Sequence, residues 1–432
     1  ESRQRTAERT TKINFVKGMI MKILQVNVVY NTGSTGKIVY DIHTEMKKQQ
    51  IDSVVCYGRG ALVHEENVYK ICGELYSDIQ HFYADLSGVL YGGCLRSTRK
   101  LISIIEREKP DVVHLHCLNG FFVNIYRLVS WLKEHRVNTV LTLHAEFMYT
   151  GGCGHSIDCN QWSTHTGCGH SQKCPRWHTD MKAWLFDRSR TMWRRMKKSF
   201  DGFDVGLIVT SVSPWLMERA ARSPILGGKT HCVIPNGIDT GVFHPYDDTG
   251  VAELKREIGL GDERVIFHAT AGFTDDPQHI KGGYYILKLA KRMPDIRFVV
   301  AGSAKEGIPV PPNLTLLGKV TDKEKLARLY SMADLTVITS KKETFSMIVA
   351  ESLCCGTPVV GFKAGAPEEI AISDFSAFSE YGNLDLLEQN VRLFLQKKSY
   401  EIAEEASKKY SREIMVKNYK KLYEQLVCGS EL

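Results

Sequence analysis

The stretch KILQVNVVYNTGSTGKIVYDIHTEMKKQQIDSVVCYG, residues 22–58, begins and ends on apolar, β-branched runs: KILQVNVV (22–29) and DSVVCYG (52–58). Between them lie a glycine turn, NTGSTGKI (31–38), and an amphipathic helical pattern over 36–50. Strand, turn, helix and strand in that order make the repeating unit of a parallel sheet with crossover helices. The alternation continues outward. DVVHLHC (111–117), TVLTLHA (139–145) and VGLIVTSV (205–212) read as strands, and 121–135 reads as a helix. The second half repeats the theme with RVIFHATA (264–271), IRFVVAG (296–302), LTLLGKV (314–320), LTVITS (335–340) and TPVVGF (357–362). Such near-continuous apolar runs imply strands covered on both faces. The expected class is therefore α/β, in two similar halves. HCVIPNGID (231–239), with Pro245 and YDDTGVAE after it, reads as the connection, which puts the boundary near 240–248. A charged helical stretch over about 400–427 closes the chain.

The 432 residues suffice for two cores, and 43% hydrophobic with 24% charged residues is an ordinary globular composition. No run of about 18 uncharged apolar residues suggests a membrane-spanning helix. Residues 1–18 are polar and basic, without the apolar core of a signal peptide. They are set apart as a leader or remnant, with Met19 or Met21 as a natural start. A formal charge of +7 is modest for the length, and does not by itself make a nucleic-acid binder. Of the twelve cysteines, Cys56, Cys117, Cys232, Cys354 and Cys355 fall in apolar segments, where a thiol acts as a small hydrophobe.

Two segments carry candidate chemistry. In NTGSTGKI, Gly33 and Gly36 let the backbone approach a ligand, and a helix opening at about Gly36 would turn its free N–H groups toward an anion. A tight strand-to-helix turn is the plain alternative. In KKETFSMIVAESLCCGTPVVGFKAGAPEEI (341–370), Glu343 precedes a helix expected near Phe345, and Glu351 lies two turns into it. Both carboxylates can accept hydrogen bonds from sugar hydroxyls at the carboxyl edge of the sheet. One capping and one solvated glutamate is the competing reading. Asp275 and Asp276 read as a loop-capping pair rather than metal ligands.

The second segment resembles the signature of the family 4 glycosyltransferases: two glutamates separated by seven residues, a helix, a CGTPVV strand, and a glycine-rich loop bearing a glutamate. IPNGID (234–239) is similar to that family's interdomain phrase, and HIKGGYYIL (279–287) to its lysine–glycine element. The resemblance extends from about Met21 to Tyr423. It implies a GT-B architecture, two facing Rossmann-like domains with an interdomain cleft, and transfer from a nucleotide-sugar donor with retention of configuration. The domains would be 19–240 on the acceptor side, with a Cys-rich insert at 150–177, and 241–405 on the donor side. A C-terminal helix, 406–432, would pack back across them.

By the same resemblance, Lys281 offsets pyrophosphate charge, Glu351 holds the donor ribose and Glu343 contacts the donor sugar. Thr344, Phe345 and Ser346 complete the donor loop, Gly33 and Gly36 lie near the phosphates, and His144 faces the sugar or its phosphate. Glu343 and His144 are the expected catalytic pair. No cofactor is required. The partners implied are a UDP- or GDP-type donor and a glycan or lipid-linked acceptor of bacterial surface polysaccharide synthesis (capsule or O-antigen type), without nucleic acid. The expected location is cytoplasmic, peripheral to the inner face of the membrane. There are departures. TAGFTDDPQHIK lacks the arginine often found before the lysine, Thr344 and Ser346 replace glycines, and Ala145 stands where relatives often carry Asp. A nucleotide-sugar 2-epimerase of the same architecture is the alternative, and a zinc-containing nucleic-acid binder a remoter one.

TGGCGHSIDCNQWSTHTGCGHSQKCPRW (150–177) holds Cys153, Cys159, Cys168 and Cys174. Four thiols in a Gly- and His-rich insert suggest a structural zinc site. Two disulfides, disfavoured in a reducing compartment, and free thiols compete with it. MKAWLFDRSRTMWRRMKKSF (181–200) interleaves cations with aromatics. Read as one helix, it would lie on an anionic membrane, or else pack as an ordinary amphipathic helix.

Overall fold

The computed structural model describes residues 21–156 and 158–428. The leader expected over 1–18, with Met19, lies outside them. The chain divides into two compact units. The first takes in the residues up to Val212, Leu216–Ile234 and Val416–Leu432; the second takes in Ser213–Trp215 and Pro235–Met415.

The first unit holds a seven-stranded sheet. Its strands are β1 (Lys22–Asn27), β2 (Asp52–Tyr57), β3 (Val68–Lys70), β4 (Val112–Leu115), β5 (Thr139–Leu143), β6 (Leu207–Ser211) and β7 (Thr230–Val233). They lie in the order β3-β2-β1-β4-β5-β6-β7, every pairing parallel. The second unit has six strands: β8 (Val265–Phe273), β9 (Arg297–Ala304), β10 (Leu314–Leu316), β11 (Leu335–Ile338), β12 (Val359–Phe362) and β13 (Ser376–Ser379). Their order is β10-β9-β8-β11-β12-β13, again all parallel. Both are doubly wound Rossmann-like sheets, so the expected α/β class holds. In each, strand order reverses beside the first strand, at β1/β4 and at β8/β11, and crevices open beyond the carboxyl ends of strands at such points.

The central strands are buried along their lengths because β-branched and aliphatic side chains fill both faces; β4, β5, β6, β11 and β12 expose none of their residues. In the second domain Ile266, Phe298, Val300, Val337 and Phe362 pack against Ile286, Leu289, Leu387 and Val391 of helices Gly283–Arg292 and Leu384–Phe394. Among the described residues no helix is long and apolar enough to cross a membrane.

Several boundaries differ from expectation. HCVIPNGID begins inside an edge strand, β7, instead of being wholly connection. The terminal helical stretch is two helices, Tyr400–Tyr410 and Arg412–Cys428, broken where Ser411 leaves helical geometry and pairs with Ile238. The segment 181–200 is helical only over Ser189–Phe200. Met192, Trp193, Met196 and Phe200 are its buried face, while Trp184, Leu185 and Phe186 precede the helix and are exposed.

Candidate active site

In the second domain the loop after β8 and the loop after β11 meet at the switch point. Gly282 makes this possible. It has φ +68°, and a Cβ there would stand 2.1 Å from the Thr339 carbonyl oxygen. Only glycine fits a left-handed position so close to backbone. The Thr339 hydroxyl donates to the carbonyls of Lys281 (3.2 Å) and Gly282 (3.0 Å), and the Lys341 amide donates to the Ile280 carbonyl (2.8 Å). Thus fastened, Lys281 reaches Glu343, with Nζ 2.7 Å from Oε1.

Glu343 is held by its own backbone. Its amide donates to the Ala364 carbonyl (2.9 Å), and its carbonyl accepts from the Ala366 amide (3.3 Å). Gly365 in that loop has φ +110° and lies against Trp215. Glu368 caps the loop, accepting from the amides of Ala364 (3.0 Å) and Gly365 (3.1 Å). The Thr344 carbonyl accepts from the Ser213 hydroxyl (2.7 Å). Phe345 is buried with its ring 6.0 Å from that of Tyr410, so it anchors the loop rather than lining a site.

Ser346 is the N-cap of helix Met347–Cys354, two residues later than the start expected near Phe345, and it takes φ +77°. The backbone has kept the conformation of a glycine although a serine occupies it. No side chain caps this helix or helix Gly283–Arg292, so both leave N–H groups free for an anion. Glu351, in the second turn of its helix, accepts from the Tyr330 hydroxyl (3.1 Å). Burial raises its carboxyl to about 7, against the opposing pull of that hydrogen bond.

Asp276 accepts from the Gln278 amide (2.8 Å) and Asp275 pairs with Lys305 (3.3 Å), which fits a loop-capping acidic pair. The Lys341 ammonium stands 5.8 Å from the Tyr381 ring centre.

In the first domain the helix after β1 begins at Gly33, not at Gly36. Gly33 has φ +63° and open space where a Cβ would be, while a Cβ on Gly36 would stand 2.9 Å from the Val29 side chain. Gly33 therefore shapes the exposed turn and Gly36 permits close packing. Asn27, fully buried at the end of β1, ties the two switch-point loops together. It donates to the Val29 carbonyl (2.7 Å) and accepts from the Cys117 amide (3.0 Å).

His144 follows β5, and its Nε2 lies 3.4 Å from Nδ1 of His116. His116 Nε2 contacts Gln25 (3.2 Å), while His114 bridges Tyr423 (2.6 Å) and Thr142 (2.7 Å). Burial holds His144 down to about 4, and His114 and His116 well below the ordinary imidazole value. At neutral pH His144 is uncharged. It can share a hydrogen bond with a sugar hydroxyl.

The cysteine insert brings its four thiols within electrostatic reach of one another, Cys153 with Cys168 and Cys174, and Cys168 with Cys159 and Cys174. Cys153 and Cys174 are buried, and their thiols hydrogen-bond to each other. Cys168 accepts from the Gly151 amide (3.2 Å), and Cys159 is half-exposed. Among the described residues no three of the His, Cys, Asp and Glu side chains are grouped to hold a metal ion. The insert is fastened by Trp162, which is fully buried against Tyr149 (5.1 Å between rings) and under the Arg219 guanidinium (4.8 Å). Arg219 donates to Glu146 (2.7 Å), which also accepts from Tyr149 (2.8 Å) and the Ser156 hydroxyl (3.0 Å).

Sequence reading missed Tyr330, Thr339, Asn27 and His116. Each sits in an apolar run and looks like core; only three-dimensional contact shows the polar partner.

Two Rossmann-like domains, the second presenting a lysine and two glutamates at its switch point, have the architecture of a GT-B glycosyltransferase. Residues 35–242 match Glycosyltransferase Family 4 and residues 278–413 match Glycosyl transferases group 1, so the chain carries both domains of that enzyme class. A D-inositol 3-phosphate glycosyltransferase of Mycobacterium sp. (strain JLS) is 31% identical over 146 residues, 31% of this chain and 32% of that protein. The match thus spans about a third of the length of such relatives. The putative colanic acid biosynthesis glycosyl transferase WcaC of Escherichia coli K12 is 24% identical over 429 residues, 94% of this chain and 100% of that protein. Sucrose-phosphate synthase of Thermosynechococcus elongatus shares the fold at TM-score 0.67 and 14% identity, over 95% of this chain and 100% of that one. Anabaena HepE in complex with UDP does so at 0.62 and 15%, over 93% and 99%.

Proposed function

We propose that this protein transfers a hexosyl group from a UDP- or GDP-linked sugar to a glycan or lipid-linked acceptor, with retention, in building a bacterial surface polysaccharide at the cytoplasmic face of the membrane. The observation that carries the reading is the Lys281–Glu343 pair, 2.7 Å apart at the switch point of the second domain. Support for the polysaccharide role comes from the full-length likeness to WcaC. Support for the donor class comes from HepE, whose solved complexes hold UDP, UDP with glucose, and UDP-glucose.

On this reading Glu343 neutralises the Lys281 ammonium until a donor arrives. An arriving diphosphate draws the Lys281 ammonium onto its oxygens, where a compact point charge suits phosphate. Glu343 is then released to accept hydrogen bonds from the donor sugar, and Glu351 accepts from the ribose hydroxyls. The uncapped helix ends at Gly283 and Met347 present N–H groups to developing negative charge on the leaving diphosphate. That phosphate takes the acceptor proton on the face it departs from, so no separate base is needed. His144, uncharged, orients a hydroxyl.

The test combines a thermal-shift screen of UDP, GDP and ADP and their sugar conjugates with product analysis. Stabilisation by one nucleotide series, with free nucleoside diphosphate released only when an acceptor is present, is the expected result. An isomerised nucleotide sugar formed without acceptor would replace transfer by epimerisation.

A further inference from the structure

Helix Glu74–Ser87, ELYSDIQHFYADLS, is built inside out. Among its residues only Ser77 and Ala84 are buried. Its polar side chains fasten it to the domain. The Ser77 hydroxyl donates to the carbonyls of Gly120 (3.1 Å) and Phe121 (2.8 Å). Gln80 accepts from the Cys94 amide (2.9 Å), and His81 stacks on Phe121 at 4.1 Å. Its apolar residues, Leu75, Ile79, Phe82, Tyr83 and Leu86, recur at helical spacing and face outward, Leu75 being 76% and Tyr83 59% exposed. A surface helix of a soluble domain normally turns such a stripe inward.

A second apolar element lies against it. The Trp184 amide donates to the Asp85 carbonyl (2.8 Å), and the Trp184 ring meets Phe82 edge to face at 5.7 Å. Gly88, at the end of the helix, has no room for a Cβ beside the Phe186 carbonyl. Trp184, Leu185 and Phe186 are each at least half exposed. The two elements thus join into one patch, and contiguous exposed apolar surface of this kind marks an interaction site. Cations edge it: Lys182, Arg188, Arg190 and Arg194 are exposed, and the Arg188 guanidinium lies 5.3 Å over the Phe186 ring. Of the acids nearby, Asp85 faces His81 at 3.6 Å and the next two are hydrogen-bonded or paired. Asp187 accepts from the amides of Cys174 (2.7 Å) and Ser189 (2.9 Å), and Asp78 pairs with Arg59 (2.7 Å).

We propose that this surface, helix Glu74–Ser87 with residues 182–188, docks on an anionic phospholipid bilayer. The side chains stand out from the surface rather than line a groove, as insertion into a headgroup layer requires and a peptide ligand does not. Trp, Tyr, Phe and Leu edged by Arg and Lys is the composition of an interfacial anchor. The inference rests on the proposed lipid-linked acceptor for its purpose, but not for its geometry. It also moves the expected apolar contact off the basic helix, whose aromatics are core, and leaves that helix only exposed cations to contribute.

Flotation with phosphatidylcholine vesicles, with and without about a third phosphatidylglycerol, tests it at low and moderate salt. Wild-type protein should float with the anionic vesicles and hardly with the neutral ones. Leu75→Ser with Phe186→Ser should reduce binding about tenfold or more, without lowering the melting temperature, since both side chains are exposed. Arg188→Gln with Arg190→Gln and Arg194→Gln should reduce binding and flatten its salt dependence. Tryptophan emission should shift to the blue on vesicle addition, less so in Trp184→Phe. Absence of flotation, or flotation equal in all variants, overturns the proposal. So does a wild-type dimer, without vesicle binding, that the Leu75→Ser/Phe186→Ser variant converts to monomer, because the patch would then cover a second copy. Nucleotide stabilisation of the same samples, measured separately, tells whether the transferase reading has failed instead.

Discussion

Glu351→Gln should make the protein more stable while making it a poorer enzyme, and the gain should depend on pH. Glu351 binds its proton more tightly in the folded chain than in the unfolded one, because burial raises it from the ordinary 4.5 to about 7. Folding stability therefore falls as pH rises through that window and levels off above it, at about 1.4 kcal/mol per pH unit, roughly 3 kcal/mol in all. Glutamine is a neutral near-isostere of the protonated acid and still accepts from Tyr330. It carries no such loss. The variant should exceed wild type by less than about 1 kcal/mol at pH 5 and by about 3 kcal/mol at pH 8. Urea unfolding at pH 5, 6, 7 and 8, with unchanged m values, measures the gap. A gap that stays constant with pH, or a variant less stable than wild type at pH 8, would refute the reasoning. In the wild type, donor affinity should rise with pH between about 6 and 8, as the carboxylate becomes available to the ribose hydroxyls; in the variant that rise should vanish.

Lys281→Met should weaken transfer by about 1.5–3 kcal/mol, roughly ten- to a hundredfold in kcat/KM, through loss of a charged contact to diphosphate; unchanged kinetics in well-folded protein would take it out of the site. Ser346→Gly should stabilise the fold by about 0.5–1 kcal/mol by relieving the left-handed serine, readable as a higher denaturation midpoint. Gly282→Ala should cost about 2 kcal/mol or more and depress donor binding, since a methyl group cannot fit beside the Thr339 carbonyl. Glu146→Ala should destabilise by about 3–5 kcal/mol, because it strands the buried Arg219 guanidinium, and limited proteolysis should then cut first in the 150–177 insert.

The ten strands expected from sequence are all present, because each is a mainly apolar, β-branched run bounded by turn residues. The three that escaped notice, β3, β7 and β13, are edge strands: VYK, THCV and SAFS are short and partly polar, with nothing periodic to betray them. The donor-loop segment stood out because two glutamates, a lysine–glycine pair and a glycine loop recur together in a known order. Its supports did not. Tyr330 lies on an apolar helix face and Thr339 at the end of an apolar strand, so nothing in their neighbourhood distinguishes a hydrogen-bond partner from filler. The segment 181–200 misled for a related reason. Aromatics and cations are interleaved along all of it, yet Trp193 is buried and Trp184 is exposed, and periodicity cannot reveal that the helix starts only at Ser189. In the cysteine insert, composition brought out the four thiols, while the supports seen only in three dimensions are Trp162 and the Glu146–Arg219 pair.

The last helix has a consequence for how the chain is made. Tyr423 meets His114 and Tyr419 meets Thr142, deep in the first domain, and both tyrosines are buried there. A ribosome delivers them only after the entire second domain. The first domain therefore emerges with its histidine cluster open to water and cannot close until the second domain has been made, whereas domains usually fold in the order they are synthesised. Synthesis of the second domain, rather than of the first, sets the earliest moment at which that core can become complete.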